Sequence, residues 1–185
     1  MRVVPTELPE VLVIEPDVHW DERGFFMETY QEDKYRALGV IPRFVQDNQS
    51  KSVRGTLRGL HLQVARPQAK LVRVIEGEIY DVAVDVRRGS PTFGRWTAVS
   101  LSAENFRQCY LPVGFAHGFA VVSATAQVEY KCTDFYDPGG EIGVVWNDPA
   151  IGITWPVARP VVSERDQRHG VLSTVMDRLP LYRPA

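Results

Sequence analysis

Lys70-Leu71-Val72-Arg73-Val74-Ile75-Glu76-Gly77-Glu78-Ile79-Tyr80-Asp81-Val82-Ala83-Val84-Asp85-Val86 is the stretch on which the architecture turns. Val72 and Val74 alternate with Leu71, Arg73 and Ile75; Glu76-Gly77 turns the chain; Tyr80, Val82, Val84 and Val86 return on one face. A period of two belongs to a strand, whose successive side chains point to opposite faces. The segment therefore predicts a β-hairpin.

The same pattern spreads outward in both directions. Downstream, 106–111, 116–122 and 126–134 read as strands, separated by Pro112-Val113-Gly114 and Ser123-Ala124-Thr125. Strands also fit 11–14, 24–30, 43–49, 56–63 and 94–101, while 31–38, closed by Gly39, is the clearest helix. Many short strands joined by Gly/Pro turns predict an all-β sandwich or jelly-roll barrel with few helices. No repeat or linker divides residues 1–185, so one domain is expected, with the tail from about Pro156 wrapping the barrel.

Bulk properties narrow the function. A chain of 185 residues is long enough for a sizeable core, and 44% hydrophobic with 24% charged residues is ordinary globular composition. A net charge of -2 argues against nucleic-acid or membrane-surface binding, which leave a basic excess. Met-Arg-Val-Val-Pro opens without an apolar signal stretch, and no run approaches the roughly 18 apolar residues of a membrane span. A cytoplasmic location is expected, with Cys109 and Cys132 reduced and packed.

Chemistry concentrates in Arg54-Gly55-Thr56-Leu57-Arg58-Gly59-Leu60-His61-Leu62-Gln63 and at Lys70, where cationic and titratable groups interrupt strand patterning. Such groups are costly in a β core unless something satisfies or uses them. By alternation His61 shares a face with Leu57, Gly59 and Gln63, while Arg58, Leu60 and Leu62 point away. Gly59 leaves room beside the ring for close ligand approach. A lone strand histidine is ordinarily a satisfied core residue; its cationic surroundings favour a general base. A metal site built from His61, Gln63 and His117 lacks a sufficient ligand set. Tyr130 shares an apolar face with Ala126, Val128 and Cys132, so it is either a core tyrosine or a proton donor opposite His61. Arg23 and Arg58 are candidates for a phosphate clamp, with surface ion pairing as the plainer alternative. Lys70 is a solvated strand end or faces an oxyanion. Asp166 is a surface or capping carboxylate unless the tail folds back onto His61.

The motifs Asp21-Glu22-Arg23-Gly24-Phe25-Phe26-Met27-Glu28, Gln46-Asp47-Asn48, Leu57 to Gln63 and Lys70 to Val74 continue in order through the chain. Gly89-Ser90-Pro91-Thr92-Phe93-Gly94, Pro112 to Phe119, Tyr130 to Asp134, Trp146-Asn147-Asp148-Pro149 and Ser163-Glu164-Arg165-Asp166 complete the set. Together they resemble the dTDP-4-dehydrorhamnose 3,5-epimerases. The resemblance implies a cofactor-independent, metal-free, cupin-like jelly roll, a dTDP-sugar substrate and a homodimer with strand exchange. It implies His61 as base paired with Asp166, Tyr130 as acid, and Lys70 near the C4 oxygen. It puts Arg23 and Arg58 on the diphosphate. Phe26, Glu28, Gln46, Asn48, His117, Glu141 and Arg165 would line the substrate site, with Phe135 or Tyr136 on the thymine. Single-site epimerases of antibiotic-sugar pathways share these residues, and a non-catalytic sugar-nucleotide-binding cupin is the reading from another class.

Overall fold

A computed structural model of the protein describes residues 1–40 and 43–184. The first sheet runs in the order β1 (Arg2–Val4), β2 (Leu12–Glu15), β10 (Gln108–Leu111), β7 (Lys70–Glu76), β12 (Thr125–Cys132), β5 (Gln46–Val53). The second runs β13 (Glu141–Gly143), β6 (Thr56–Gln63), β11 (Phe115–Val121), β8 (Glu78–Asp85), β9 (Trp96–Ser102). β14 (Val161–Val162) adds to β6 in parallel, and β3 (Val18–Asp21) with β4 (Gly24–Met27) forms a separate hairpin. The helices are one or two turns long: α1 (Glu32–Ala37), α2 (Glu164–Gln167) and α3 (Leu172–Val175), with 3₁₀ turns at Pro138–Gly140 and Met176–Arg178. The arrangement is an antiparallel, cupin-like jelly roll, as the strand pattern predicts.

The predicted hairpin at Glu76-Gly77 is corrected. Both strands exist, but they do not pair: β7 lies between β10 and β12, and β8 between β11 and β9. Gly77 (φ +77°) marks the corner where the chain crosses between sheets, and a side chain there would overlap the Thr125 carbonyl and the Ser123 hydroxyl. The true partner of β8 in a hairpin is β9, reached by a longer connection. In-out alternation is identical for a hairpin and a crossover, so it cannot tell them apart.

The sheets enclose one apolar layer and are each covered outside by another. Val72, Val74, Ala126 and Val128 of the first sheet meet Ile79, Ala83, Phe115 and Phe119 of the second. On the outer face of the second sheet, Leu60, Leu62, Val82, Val84 and Val86 pack against Ile151 and, from the tail, Leu172 and Leu179. Burial on both faces explains why Val82 to Val86 is nearly continuous in apolar residues. Covering a leucine this way is worth about 1.5–3 kcal/mol, and the tail supplies several such residues. Its end is tied down where Arg88 donates its amide to the Pro180 carbonyl and Tyr182 donates back to Arg88. Cys109 and Cys132 are buried free thiols. Among the described residues no helix is long and apolar enough to cross a membrane.

Candidate active site

The site begins with how the tail returns to β6. Val161 and Val162 lie in parallel register with Thr56 and Leu57. Ser163 then caps α2 by accepting the Asp166 amide at 3.1 Å. That short turn delivers the Asp166 carboxylate, only 4% exposed, beneath β6. Oδ1 lies 2.8 Å from His61 Nε2, and Oδ2 accepts the Gly59 amide at 3.1 Å. Taking a carboxylate out of water costs several kcal/mol and must be offset by such contacts. Burial alone would raise the Asp166 pKa, but the His61 hydrogen bond and charge, the Gly59 amide and His169 outweigh it and hold the group below its ordinary value. An ionised Asp166 fixes the proton of neutral His61 on Nε2 and leaves Nδ1 as the basic nitrogen.

Gly59 has a different role from the one alternation assigned. It takes φ +114°, and a Cβ there would lie 2.6 Å from the His117 carbonyl. The space is used by the neighbouring strand, not by a ligand. The β6–β11 register also slips here, pairing His117 with His61 but Phe119 with Arg58. The slip turns Arg58 to the side of His61, where strict alternation would have it face away with Leu60 and Leu62. Arg58 donates Nε and Nη2 to Ser52 Oγ, both at 3.1 Å, and lines the same cleft as His61.

That cleft has two lobes, of about 450 and 280 Å³, sharing His61, Lys70 and Tyr130. The larger adds Arg58, His117, Arg165 and Asp166; the smaller adds Gln46, Asn48, Tyr136 and Glu141. His61 comes from the second sheet, Tyr130 and Lys70 from the first, so they flank the cleft from opposite sides. Tyr130 packs on the inner apolar layer beside Lys70, whose Nζ is 5.7 Å from its ring centre. Loss of water raises the Tyr130 pKa above that of a free phenol. The same cause lowers that of Lys70, only partly offset by Cys132, Glu141 and Asp81. His117 is held by buried Asp81, Nε2 to Oδ1 2.7 Å. Glu141 is paired with Arg165, which also reaches the Tyr136 hydroxyl at 3.4 Å. Among the described residues, Ser50 Oγ and Gln63 Oε1 line the cleft as buried polar atoms without a partner, and Asp81 Oδ2 and His169 Nδ1, outside its lining, are likewise unpartnered.

Four expected residues lie elsewhere in this chain. Arg23 pairs with Asp21 on the exposed β3–β4 hairpin, and Phe26 is 72% exposed there. Glu28 pairs with Lys34, and Phe135 is exposed beneath Arg66. Sequence reading missed Asp81, an acid on the inward face between Ile79 and Ala83, where alternation alone makes it conspicuous. It also missed His169, whose ring centre is 5.6 Å from that of His61. No linear motif signals that contact.

Charge order gives a pH prediction. Activity that needs the Lys70 ammonium falls as pH rises through its lowered pKa, before a phenol with a raised pKa loses its proton. In Lys70→Gln the alkaline limb of the rate profile should therefore move to higher pH, where the phenol ionises, on a reduced rate, and in the residual proton exchange of Tyr130→Phe it should stay where it is. A limb that stays unmoved in Lys70→Gln would assign it elsewhere.

A jelly roll whose interior holds a His–Asp pair facing a lysine and a tyrosine is a cupin-like barrel equipped for proton transfer. Residues 5–174 match the family model described as dTDP-4-dehydrorhamnose 3,5-epimerase, and the chain belongs to that family. It is 53% identical over 169 residues to the dTDP-4-dehydrorhamnose 3,5-epimerase of Methanothermobacter thermautotrophicus, covering 90% of this chain and 91% of the relative. The structure of dTDP-6-deoxy-D-glucose-3,5-epimerase from Legionella pneumophila in complex with dTDP-4-keto-L-rhamnose superposes with a TM-score of 0.96 at 47% identity, covering 99% of each chain. A dTDP-4-dehydrorhamnose 3-epimerase of Streptomyces niveus is 40% identical over 98% of this chain and 90% of its own length.

Proposed function

We propose that this chain inverts C3 and C5 of dTDP-4-keto-6-deoxyglucose, toward dTDP-L-rhamnose or a related deoxysugar. The observation that carries the reading is the placement of His61, held by Asp166, across the cleft from Tyr130 and Lys70. Protons on C3 and C5 are both α to the C4 ketone. His61 takes one; the electron pair moves onto the C4 oxygen as an enolate, which the Lys70 ammonium stabilises. Tyr130 returns a proton to the opposite face of that carbon, and the configuration inverts. A base and an acid on opposing sheets are what inversion requires, and none of these steps calls on a cofactor or a metal.

Binding follows from the rest of the cleft. Arg58 holds the diphosphate with its planar fork, and Gln46, Asn48, His117, Glu141 and Arg165 contact sugar and nucleotide, with Tyr136 near the base. Arg23, Phe26 and Glu28 are remote from their own cleft, and the β3–β4 hairpin that presents Arg23 and Phe26 also exposes Trp20 and Phe25. In a homodimer with strand exchange these residues reach the cleft of the second copy, and Phe135 remains at its rim. Arg58→Ala is expected to raise KM by roughly tenfold or more, the loss of a charge-assisted contact of about 1.5–3 kcal/mol, with kcat less affected. An unchanged KM would count against the clamp.

The similarity to a 3-epimerase supports one rival, inversion at C3 alone on the same residues. Turnover of the keto-sugar in heavy water, read at C3 and C5 by mass spectrometry and proton NMR, separates the two. Label and inversion at both carbons support the double epimerase, and label at one carbon the rival. No label with the nucleotide still bound would leave a binding protein.

A further inference from the structure

We propose that His169 and the outer hollow beside it form the route by which the His61–Asp166 pair returns its proton to solvent between the two inversions. This rests on the double-epimerase reading. Each inversion leaves His61 with one proton more and Tyr130 with one fewer. A second inversion on the same bound sugar requires Tyr130 to regain a proton and His61 to lose one while the substrate covers the cleft in front of it.

His169 stands on the other side of His61. It takes no part in lining the two-lobed cleft; it lines a separate open hollow of about 600 Å³ with Glu141, Gly143, Arg165 and Arg168. Its ring meets that of His61 edge-on at 86°. One ligand-bearing atom each from His61, Asp166 and His169 lie within 4.8 Å of one another, a gap that one water spans. His169 Nδ1 is buried without a partner in the protein, which a histidine kept only for packing would rarely leave so.

Local geometry holds the ring in place. Gly143 pairs directly with His61 across β13 and β6, and a side chain there would overlap the His169 ring. The glycine is what opens the seat. Next to it, Val145 donates its amide to the Gly170 carbonyl at 2.9 Å, pinning the backbone that carries His169. Burial and the neighbouring His61 keep the His169 pKa below its ordinary value, with Asp166 and Glu141 opposing and Arg165 reinforcing the shift. A neutral imidazole there can accept a proton at one nitrogen and release another from the second nitrogen to the hollow. The net change is one proton moved from His61 to water, matched by one that the Tyr130 phenolate takes back from water on its own side of the cleft, with no change in oxidation state. His169 thus acts through His61 and is a relay and positioning residue.

The experiment follows the keto-sugar in heavy water with wild-type, His169→Ala and Gly143→Ala proteins, timing inversion at each carbon. In His169→Ala the first inversion should stay within about threefold of wild type. The second should slow at least tenfold, releasing once-inverted sugar, and added imidazole should restore it in proportion to concentration. Gly143→Ala keeps the imidazole but displaces it, and should show the same split; it also decides the matter if His169→Ala fails to fold. Equal rates for both inversions in both variants, or an equal loss at both carbons with no rescue, would overturn the relay. Wild-type inversion at one carbon only would overturn it together with the double-epimerase reading, whereas a normal wild type with unsplit variants would overturn the relay alone.

Discussion

His61→Ala should lose solvent-proton exchange at both C3 and C5. A positioned general base contributes about 10²–10⁴-fold to a proton abstraction, and the carboxylate that the second sheet also turns toward the cleft, Glu141 of β13, is tied to Arg165. His117, the nearest substitute, has its Nε2 committed to Asp81. The variant also strips buried Asp166 of its partner, and breaking a buried charged pair costs about 3–5 kcal/mol. Loss of activity must therefore be separated from loss of fold. His61→Gln keeps an amide donor for Asp166, so a thermal melt close to wild type with exchange still absent would isolate the chemistry. Near-normal turnover in either variant would remove His61 from the role of base.

Tyr130→Phe should separate two events that the wild type couples. His61 would still remove a proton and Lys70 would still hold the enolate, so label should continue to enter the sugar. Reprotonation would then come mostly from the His61 side and regenerate the starting configuration. Inversion is expected to fall by roughly 10²-fold, the lower range for loss of a general acid, while exchange falls by less than tenfold. Phenylalanine fills the same place in the inner apolar layer beside Val128, so stability should change little. Proton NMR gives both rates from one sample. A parallel fall in exchange and inversion would mean that Tyr130 shapes the cleft instead of donating the proton.

The local signals and the long-range ones differ in what they can carry. Strand 56–63 is legible to the residue, and the Val82–Val86 run is legible as buried, because alternation and apolar density are written in neighbouring residues. Which strand pairs with which is not. The segment around Glu76-Gly77 has a hairpin's pattern, yet Gly77 sends the chain into the other sheet. Arg58 is legible as an anomalous strand arginine; its turn toward His61 depends on a register slip set by close packing of Gly59 on β11. Asp166 reads as a surface or capping carboxylate unless the tail folds back onto His61. Only the parallel addition of β14 carries it 105 residues back to His61.

By itself the sequence determined the all-β class, the two reduced cysteines, the motif set that places the chain in its family, and the candidates His61, Tyr130, Lys70 and Asp166. These follow from period, composition and residue chemistry, which are local. The tertiary structure alone decided that Arg58 shares the cleft, that Arg23, Phe26 and Glu28 leave it, and that His169 stands behind His61. Each of those outcomes is set by contacts between segments far apart in the chain, where sheet pairing, a glycine-sized gap or a covering tail selects one arrangement from many that the same alternation would allow.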